Sequence, residues 1–536
     1  MTNEITLNAV YLEDRATEFD RLAPLLEQAL SIGPFKCVVA WKKDRKEFEA
    51  ALKARPHVAF VDMDLGEGPL RFEGAEIIAQ LKRKYPDVLF LLLTGQRVKM
   101  DILGSYLPNP DHILNKEYIG TQEYDEYLGK YFIENFKRYP VAEIDCKFDI
   151  NIGAPRSGNY RLDGRELASL IEQCLFGVDA GIKGTEIGKV ELHSVPDGFS
   201  GSGVYLMHIW TGDRRNSVPA ILKISEITRA RDELANYNRY VKWRLPYLWR
   251  VDVLGFGTSG NFGAICYSFA LAGGKTPSTI NKFLRLGETA AVDAVVKSIL
   301  FSKNQNWYAE RMDSKKDARI FLGEKPYYNK NSRREHRETI FREMLSSLAA
   351  RARIEVHFGE ESFKLGNTEF KNIHRCIFGR NWGSVICCVC HGDMNGNNIM
   401  YTGDRQEVAF IDFQNTGFHY LFKDFISFES SIRLEFPSED IAWEDERFTE
   451  ILDLETNCIR RGWIQSQSNI SYIDQISKVR EAAHHNFMEE KFEMYVLANT
   501  VHSLWLLEKS LKWADYKQRR LMAAVLAGVS FLQGAD

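Results

Sequence analysis

The residues best suited to chemistry are His391-Gly392-Asp393-Met394-Asn395-Gly396-Asn397-Asn398-Ile399-Met400 and, further on, Ala409-Phe410-Ile411-Asp412-Phe413. Each group is reached through an apolar run that reads as a strand, Val385 to Val389 for the first and Glu407 to Ile411 for the second. A carboxylate, a carboxamide and a second carboxylate in this order suit phosphoryl transfer, which needs positioning and charge neutralisation more than covalent help. Asp393 is the candidate to sit beside an attacking hydroxyl. Asn398 and Asp412 offer the oxygen ligands that magnesium takes on nucleotide phosphates. His391 is read as a brace for the loop from inside. The plain alternative is a turn rich in Asn and Asp, since both favour loops; two strand-anchored motifs in this order argue against it.

The upstream half is consistent. Gly198-Phe199-Ser200-Gly201-Ser202-Gly203 lies between apolar strands. Gly198, Gly201 and Gly203 would let backbone N–H groups approach phosphates without a Cβ in the way. Lys223 stands inside the apolar run Val218 to Ile224, where a lysine is costly unless paired. Its expected partners are a nucleotide phosphate and Glu233, on the helix expected over Arg229 to Val241. The alternative is an edge strand with Lys223 in solvent. Tyr267 to Ala272 is where a link between two lobes is expected.

The order of Gly-rich turn, strand lysine, helix glutamate, HGDMNGNNIM and IDF resembles the aminoglycoside phosphotransferase and choline kinase superfamily. Asn398 follows Asp393 at the five-residue offset of kinase catalytic loops. The resemblance covers 165–536 and implies a two-lobed protein-kinase-like fold, with an N-lobe over 165–272 and a C-lobe over 273–536. It further implies ATP and Mg2+ as cofactors, Asp393 as catalytic base, Asn398 and Asp412 as metal ligands, and Gly198, Gly201, Gly203, Lys223 and Glu233 as nucleotide-binding. GFSGSGVY with IDFQNTGFHYLFKDF also resembles the bacterial ternary complex-associated phosphotransferase-like domains of signalling and conflict proteins. The stretch 300–385 aligns with neither group. Gly392 stands where many protein kinases have an arginine that grips a phosphorylated activation loop. No DFG glycine and no Ala-Pro-Glu follows Asp412. The expected acceptor is therefore an unidentified small-molecule hydroxyl rather than a protein. Asp424 is expected to cap a helix or brace the loop.

Before these motifs, Leu7–Tyr11, Val38–Ala40, His57–Val61, Val88–Leu93 and His112–Leu114 read as strands, with Phe48–Lys53 and Gly74–Lys84 as helices between them. This alternation predicts a doubly wound parallel sheet. Glu13, Asp14, Asp62, Thr94 and Lys116 then fall at strand ends on the edge where such sheets bind ligands. The layout resembles a response-regulator receiver, flavodoxin-like, over residues 1–138. That implies magnesium on Glu13, Asp14 and Asp62, phosphorylation of Asp62, Thr94 and Lys116 as switch residues, and a sensor histidine kinase as partner in a phosphorelay. Three positions depart from the receiver pattern. Glu117 follows Lys116 in place of proline, Gly66 replaces a proline, and Ile113 replaces an aromatic residue. A rigid adaptor is the alternative. Residues 139–164 are expected to link the two parts, and Leu167–Leu175 to form a helix opening the next.

At 536 residues the chain is too long for one ordinary domain, and its 45% hydrophobic and 26% charged composition is that of a globular protein. A net charge of −4 gives no general attraction to nucleic acid or anionic membrane, so neither is expected as a partner. Met1–Val10 does not read as a secretory signal, and Leu521–Leu532 is too short to span a bilayer. Nine cysteines without a pairing framework suggest reduced thiols and a cytoplasmic location. Cys387, Cys388 and Cys390 beside His391 raise zinc as an idea, but a buried strand is the better reading. Arg311–Arg342, basic but mixed in sign, reads as a solvated, helix-rich insertion rather than a nucleic-acid patch. Two functions stay open: a phosphotransferase gated by the receiver-like domain, or a non-catalytic nucleotide- or protein-binding module with a receiver-like adaptor.

Overall fold

Five parallel strands form the first sheet. They are β1 (Ile5–Leu12), β2 (Phe35–Lys42), β3 (Val58–Asp62), β4 (Leu89–Thr94) and β5 (His112–Asn115), in the order β2-β1-β3-β4-β5. This order is compatible with a flavodoxin-like sheet. The central strands β3 and β4 are apolar and buried on both faces, as required where helices cover a sheet on both sides. Leu7, Ala9 and Tyr11 join a core with α1 (Ala16–Leu30) and α4 (Gln122–Asn135), while Val10 and Leu12 join another with α2 (Arg45–Leu52) and α3 (Glu73–Leu81).

The computed structural model describes residues 5–31, 35–65, 73–85, 87–95, 112–135, 141, 143–154, 158–176, 187–194, 202–211, 217–246, 249–268, 278–297, 306–318, 331–379, 381–403, 406–437, 448–463 and 471–534. The chain divides into two compact units, Met1–Leu234 with Asp252–Phe269, and Ala235–Val251 with Ala270–Asp536.

The first unit also holds a six-stranded sheet. Its strands are β6 (Glu143–Asp145), β9 (Ile187–Ser194), β10 (Gly203–Thr211), β11 (Ser217–Glu226), β12 (Val253–Ser259) and β13 (Phe262–Ser268), in the order β12-β13-β11-β10-β9-β6. Between β6 and β9, a hairpin of β7 (Asn151–Ala154) and β8 (Gly158–Arg161) precedes α5 (Gly164–Phe176). The segment expected to be a plain link thus contributes a sheet strand and a hairpin. Its Gly, Pro, Ser and Asn residues mask the short extended runs that the neighbouring strands recruit.

Helix α5 joins the two sheets. A Cβ on Gly255 or Gly257 would lie 1.8 Å from the Cys174 carbonyl or 2.6 Å from that of Leu170, so β12 accepts α5 only as glycine. The other side of α5 meets the parallel sheet. Arg55 pairs with Asp87 at 2.7 Å, both buried, and the Ser169 hydroxyl donates to the second oxygen of Asp87. His57 Nε2 lies 3.9 Å from Glu172. His57 and Asp87 sit just before β3 and β4, opposite the ends that carry Asp62 and Thr94.

The second unit is mainly helical. It includes α7 (Ile280–Arg285), α8 (Asn331–Arg351), α9 (Lys423–Glu435), α10 (Phe448–Arg460), α11 (Ser471–Asn486), α12 (Phe492–Lys509) and α13 (Asp515–Gln533). The helix α6 (Ile227–Asn236) runs on into a π turn, Tyr237–Val241. Among the small sheets, β15 (Arg311–Asp317), β19 (Ser384–Cys390) and β22 (Gly417–Tyr420) pair in the order β15-β19-β22, β14 (Ser278–Thr279), β20 (Ile399–Thr402) and β21 (Glu407–Phe410) in the order β14-β20-β21, and β16 (Val356–Phe358), β17 (Ser362–Leu365) and β18 (Thr368–Lys371) in the order β16-β17-β18. The basic stretch from Arg311 is therefore not wholly helical. Its first residues extend because β19 offers an open edge to pair with. Cys387, Cys388 and Cys390 are buried in β19, as the strand reading has it.

Glu429, with no exposed side-chain surface, ties these helices together. Its carboxylate accepts from Arg433 (2.7 Å), Arg480 (2.8 and 3.1 Å), Tyr495 (2.6 Å) and Asn499 (3.1 Å). Burial alone would raise its pKa, but the Arg480 and Arg433 guanidiniums overcome this and hold the carboxyl well below its ordinary range. That contribution to stability is complete above the ordinary range and is lost as pH falls from there through about 2. Arg480→Ala leaves the carboxylate buried with much of its compensation gone. We expect a loss of about 3–5 kcal/mol, measured by urea unfolding at pH 7, and a smaller loss at pH 3.

Candidate active site

In the second unit β19 delivers the first motif and β21 the second. The motif opens with a bracket: Asp424, on the first turn of α9, accepts the His391 amide at 2.8 Å and the Gly392 amide at 2.9 Å, with the Tyr308 hydroxyl at 3.2 Å. Asp424 is fully buried, and burial raises its pKa against the lowering effect of His391 and the amides. It is the brace expected from the sequence. Gly392 has φ +81°, and a Cβ there would lie 2.2 Å from the Asn415 carbonyl. Gly392 thus has a local steric reason to be glycine.

His391 is the internal brace. Nε2 lies 3.0 Å from the Ile411 carbonyl, which can only accept, so this nitrogen carries the proton. Phe410 and Phe413 flank its ring at 5.6 and 5.5 Å. The Ile411 amide in turn donates to the Asn398 carbonyl at 3.1 Å. The two sequence motifs are therefore laced together through Ile411.

Between them, Asp393 Oδ1 accepts from the Asn395 amide group at 2.9 Å. Asn398 Nδ2 donates to the Asp393 carbonyl at 2.9 Å, which turns its Oδ1 the other way as the group able to meet a cation. Asp412 takes φ 65°, a left-handed conformation unusual outside glycine, immediately before the turn Phe413–Asn415. Asp393, Asn398 and Asp412 thus belong to one laced assembly. A carboxamide oxygen and a carboxylate form a donor set that fits magnesium.

In the first unit, Lys223 is buried on β11 and donates to Glu233 Oε2 at 2.7 Å. The Tyr267 hydroxyl donates to the other oxygen of Glu233 at 2.5 Å. The sequence reading missed Tyr267 as the third member and placed it at a link; it lies within β13. Strand register was the missing signal, because Ile221 pairs with Tyr267 and Lys223 with Ile265, which puts Tyr267 diagonally beside Lys223 on one face. Gly203 begins β10, where a Cβ would meet the Tyr205 hydroxyl at 2.3 Å. Gly198, Gly201 and Gly66 lie outside the described residues.

At the carboxyl edge of the parallel sheet, oxygens of Glu13, Asp14 and Asp62 lie within 4.8 Å of one another. Lys116 Nζ reaches Glu13 at 2.8 Å and Asp62 Oδ1 at 2.9 Å. Tyr11, also missed from sequence, donates its hydroxyl to Glu13 at 2.9 Å. Burial, then Glu13, push the Tyr11 hydroxyl far above its ordinary pKa and keep it a donor. Burial pushes the Asp62 carboxyl up to about 6, with Lys116 opposing and Glu13 adding to the rise. Asp62 Oδ2 is buried without a hydrogen-bond partner. Three acids and an unpaired buried oxygen fit a hard divalent cation. Thr94 is buried at the end of β4, and its carbonyl accepts the Lys116 amide at 2.9 Å. Ile113 packs on the core beside α2 and α3. The Glu117 amide donates to Asn115 Oδ1, a bond that proline could not make.

Residues 309–437, which contain Asp393, Asn398, Asp412 and Asp424, match the Ecdysteroid kinase-like family. No curated protein sequence matches the chain. Among solved structures, an aminoglycoside phosphotransferase from Streptomyces rimosus is similar at 14% identity over 55% of this chain and 92% of its own, with a TM-score of 0.25. Ethanolamine kinase of Plasmodium vivax is similar at 14% identity over 64% and 84%, with a TM-score of 0.26. A type VIII aminoglycoside-3'-phosphotransferase is similar at 16% identity over 55% and 93%, with a TM-score of 0.24.

Proposed function

We propose that the chain is an ATP- and magnesium-dependent phosphotransferase acting on the hydroxyl of a small molecule. The observation that carries this reading is the laced assembly of Asp393, Asn398 and Asp412 through Ile411, with Asp424 beneath it. The match of residues 309–437 to a kinase-like family supports it. Asp393 takes the acceptor proton, Asn398 and Asp412 hold the metal, and Lys223, oriented by Glu233, meets the nucleotide phosphates along with Gly198, Gly201 and Gly203. Magnesium neutralises the phosphates when bound. In domain terms, 165–272 forms the N-lobe and 273–536 the C-lobe of a kinase-like fold.

Residues 1–138 act in this reading as a receiver, with Asp62 as phosphoacceptor, Glu13 and Asp14 as further metal ligands, and a sensor histidine kinase as donor. The raised Asp62 pKa and its unpaired oxygen support it. A bound cation would favour the ionised form and free Lys116 to meet a phosphoryl oxygen.

Millimolar magnesium-ATP is expected to raise the melting temperature of the wild type by about 2–4 °C. Lys223→Ala and Asp412→Ala should each reduce the shift; a wild type without any shift removes the reading. Asp393→Asn should keep the shift yet lower turnover on a true acceptor about 100-fold or more, and unchanged turnover would take Asp393 out of the mechanism. Asp62 has a raised folded-state pKa, so its favourable contribution is complete below pH 4 and is lost as pH rises through about 6. Asp62→Asn should therefore melt higher than wild type at pH 7.5 without metal, with the gap closing at pH 4.5 or on adding magnesium. Acetyl phosphate with magnesium should add mass to wild type and not to Asp62→Asn; no gain in wild type leaves an adaptor.

A further inference from the structure

The middle of the loop, between Asp393 and Asn398, is held by a residue from outside both motifs. Asn281, on the first turn of α7, is 6% exposed. Its backbone amide donates to the Gly396 carbonyl at 3.3 Å, and its Nδ2 donates to Asn397 Oδ1 at 2.8 Å. The Asn397 amide donates to Asn395 Oδ1 at 2.9 Å, and Asn395 is the residue that holds the Asp393 carboxylate. From the other side Ser431 accepts the Gly396 amide at 2.9 Å. There is no spare room: a Cβ on Gly396 would lie 2.0 Å from Asn281 Oδ1 and 3.1 Å from Ile280 Cγ2. The side-chain amide of Asn281 thus fills the space that any other residue at 396 would need. Asn397 then cannot tilt without breaking its bond to the buried Asn281 side chain, and Asn398 comes next in the chain.

We infer that Asn281 is a positioning residue interlocked with Gly396, which sets the loop so that Asp393 and Asn398 are presented together. The inference rests on the phosphotransferase reading. A carboxamide on α7 does not touch the reacting groups. It acts through Asn397 and Asn395, and the property it controls is how readily Asn398 meets the metal.

The test uses the full chain with Asn281→Ala, the near-isosteric Asn281→Asp, Gly396→Ala and the double variant Asn281→Ala/Gly396→Ala. Magnesium is titrated at fixed ATP, and both the melting shift and ATP turnover are recorded. Asn281→Ala and Asn281→Asp should raise the half-saturating magnesium concentration about tenfold while the apo melting temperature of Asn281→Asp stays near wild type. Gly396→Ala should be the more damaged single variant, and truncating Asn281 in the same chain should restore part of its loss, because the clashing amide is gone. A wild-type magnesium profile in both Asn281 variants, or losses that simply add in the double variant, overturns the inference. A wild type that shows no magnesium-nucleotide response removes the phosphotransferase reading and the inference with it. A wild-type response that the Asn281 variants leave unaltered removes the inference alone.

Discussion

Asp424 sets a carboxylate with no solvent exposure against two successive backbone amides, those of His391 and Gly392. Neither amide could find water there, so the bracket satisfies donors that would otherwise be costly to bury. It also dictates the path of the chain. To present both amides to one carboxylate the backbone turns through a left-handed residue, and only glycine fits against the Asn415 carbonyl. The turn then points His391 inward to Ile411 and releases Asp393 at the surface of the bracket. Each later feature of the loop inherits its direction from this carboxylate.

Much of this assembly was legible in the sequence because its parts are local. The strand before His391, the Asp393–Asn398 offset and the second motif after Glu407 all follow from short-range pattern. Asp424 could be named because an acid near the start of an expected helix is a ready cap or brace for the loop before it. Tyr267, Asn281 and Ser431 could not be found in this way. Each is an ordinary residue in its own element, and only pairing register or helix docking brings it to its partner. The same holds for the strand at Arg311–Asp317 and the hairpin near residue 150, where polar sequences became extended because an adjoining strand offered hydrogen bonds. Tertiary pairing overrode local propensity there.

The first unit uses one device twice, with opposite results. Lys223 meets Glu233, whose second oxygen is taken by Tyr267, and that carboxylate is fully committed. Lys116 bridges Glu13 and Asp62, but one oxygen of Asp62 remains without a partner. The first arrangement fixes a lysine in place. The second stores an unfavourable ionisation, as the raised Asp62 pKa reflects, and so favours whatever cation or covalent change relieves it.

The contact of α5 with the parallel sheet makes β3 and β4 behave mechanically as beams clamped at one end. Arg55, Asp87 and Ser169 grip the sheet where these strands begin, and the acidic cluster lies where they finish, about 13 Å away along β3 at ordinary strand rise. A tightly hydrogen-bonded parallel strand hardly stretches. Any influence of Asp62 on the six-stranded sheet through this contact would have to travel as a tilt of the whole beam about its clamp, so the stiffness of the Arg55–Asp87–Ser169 grip sets how much of that tilt α5 feels.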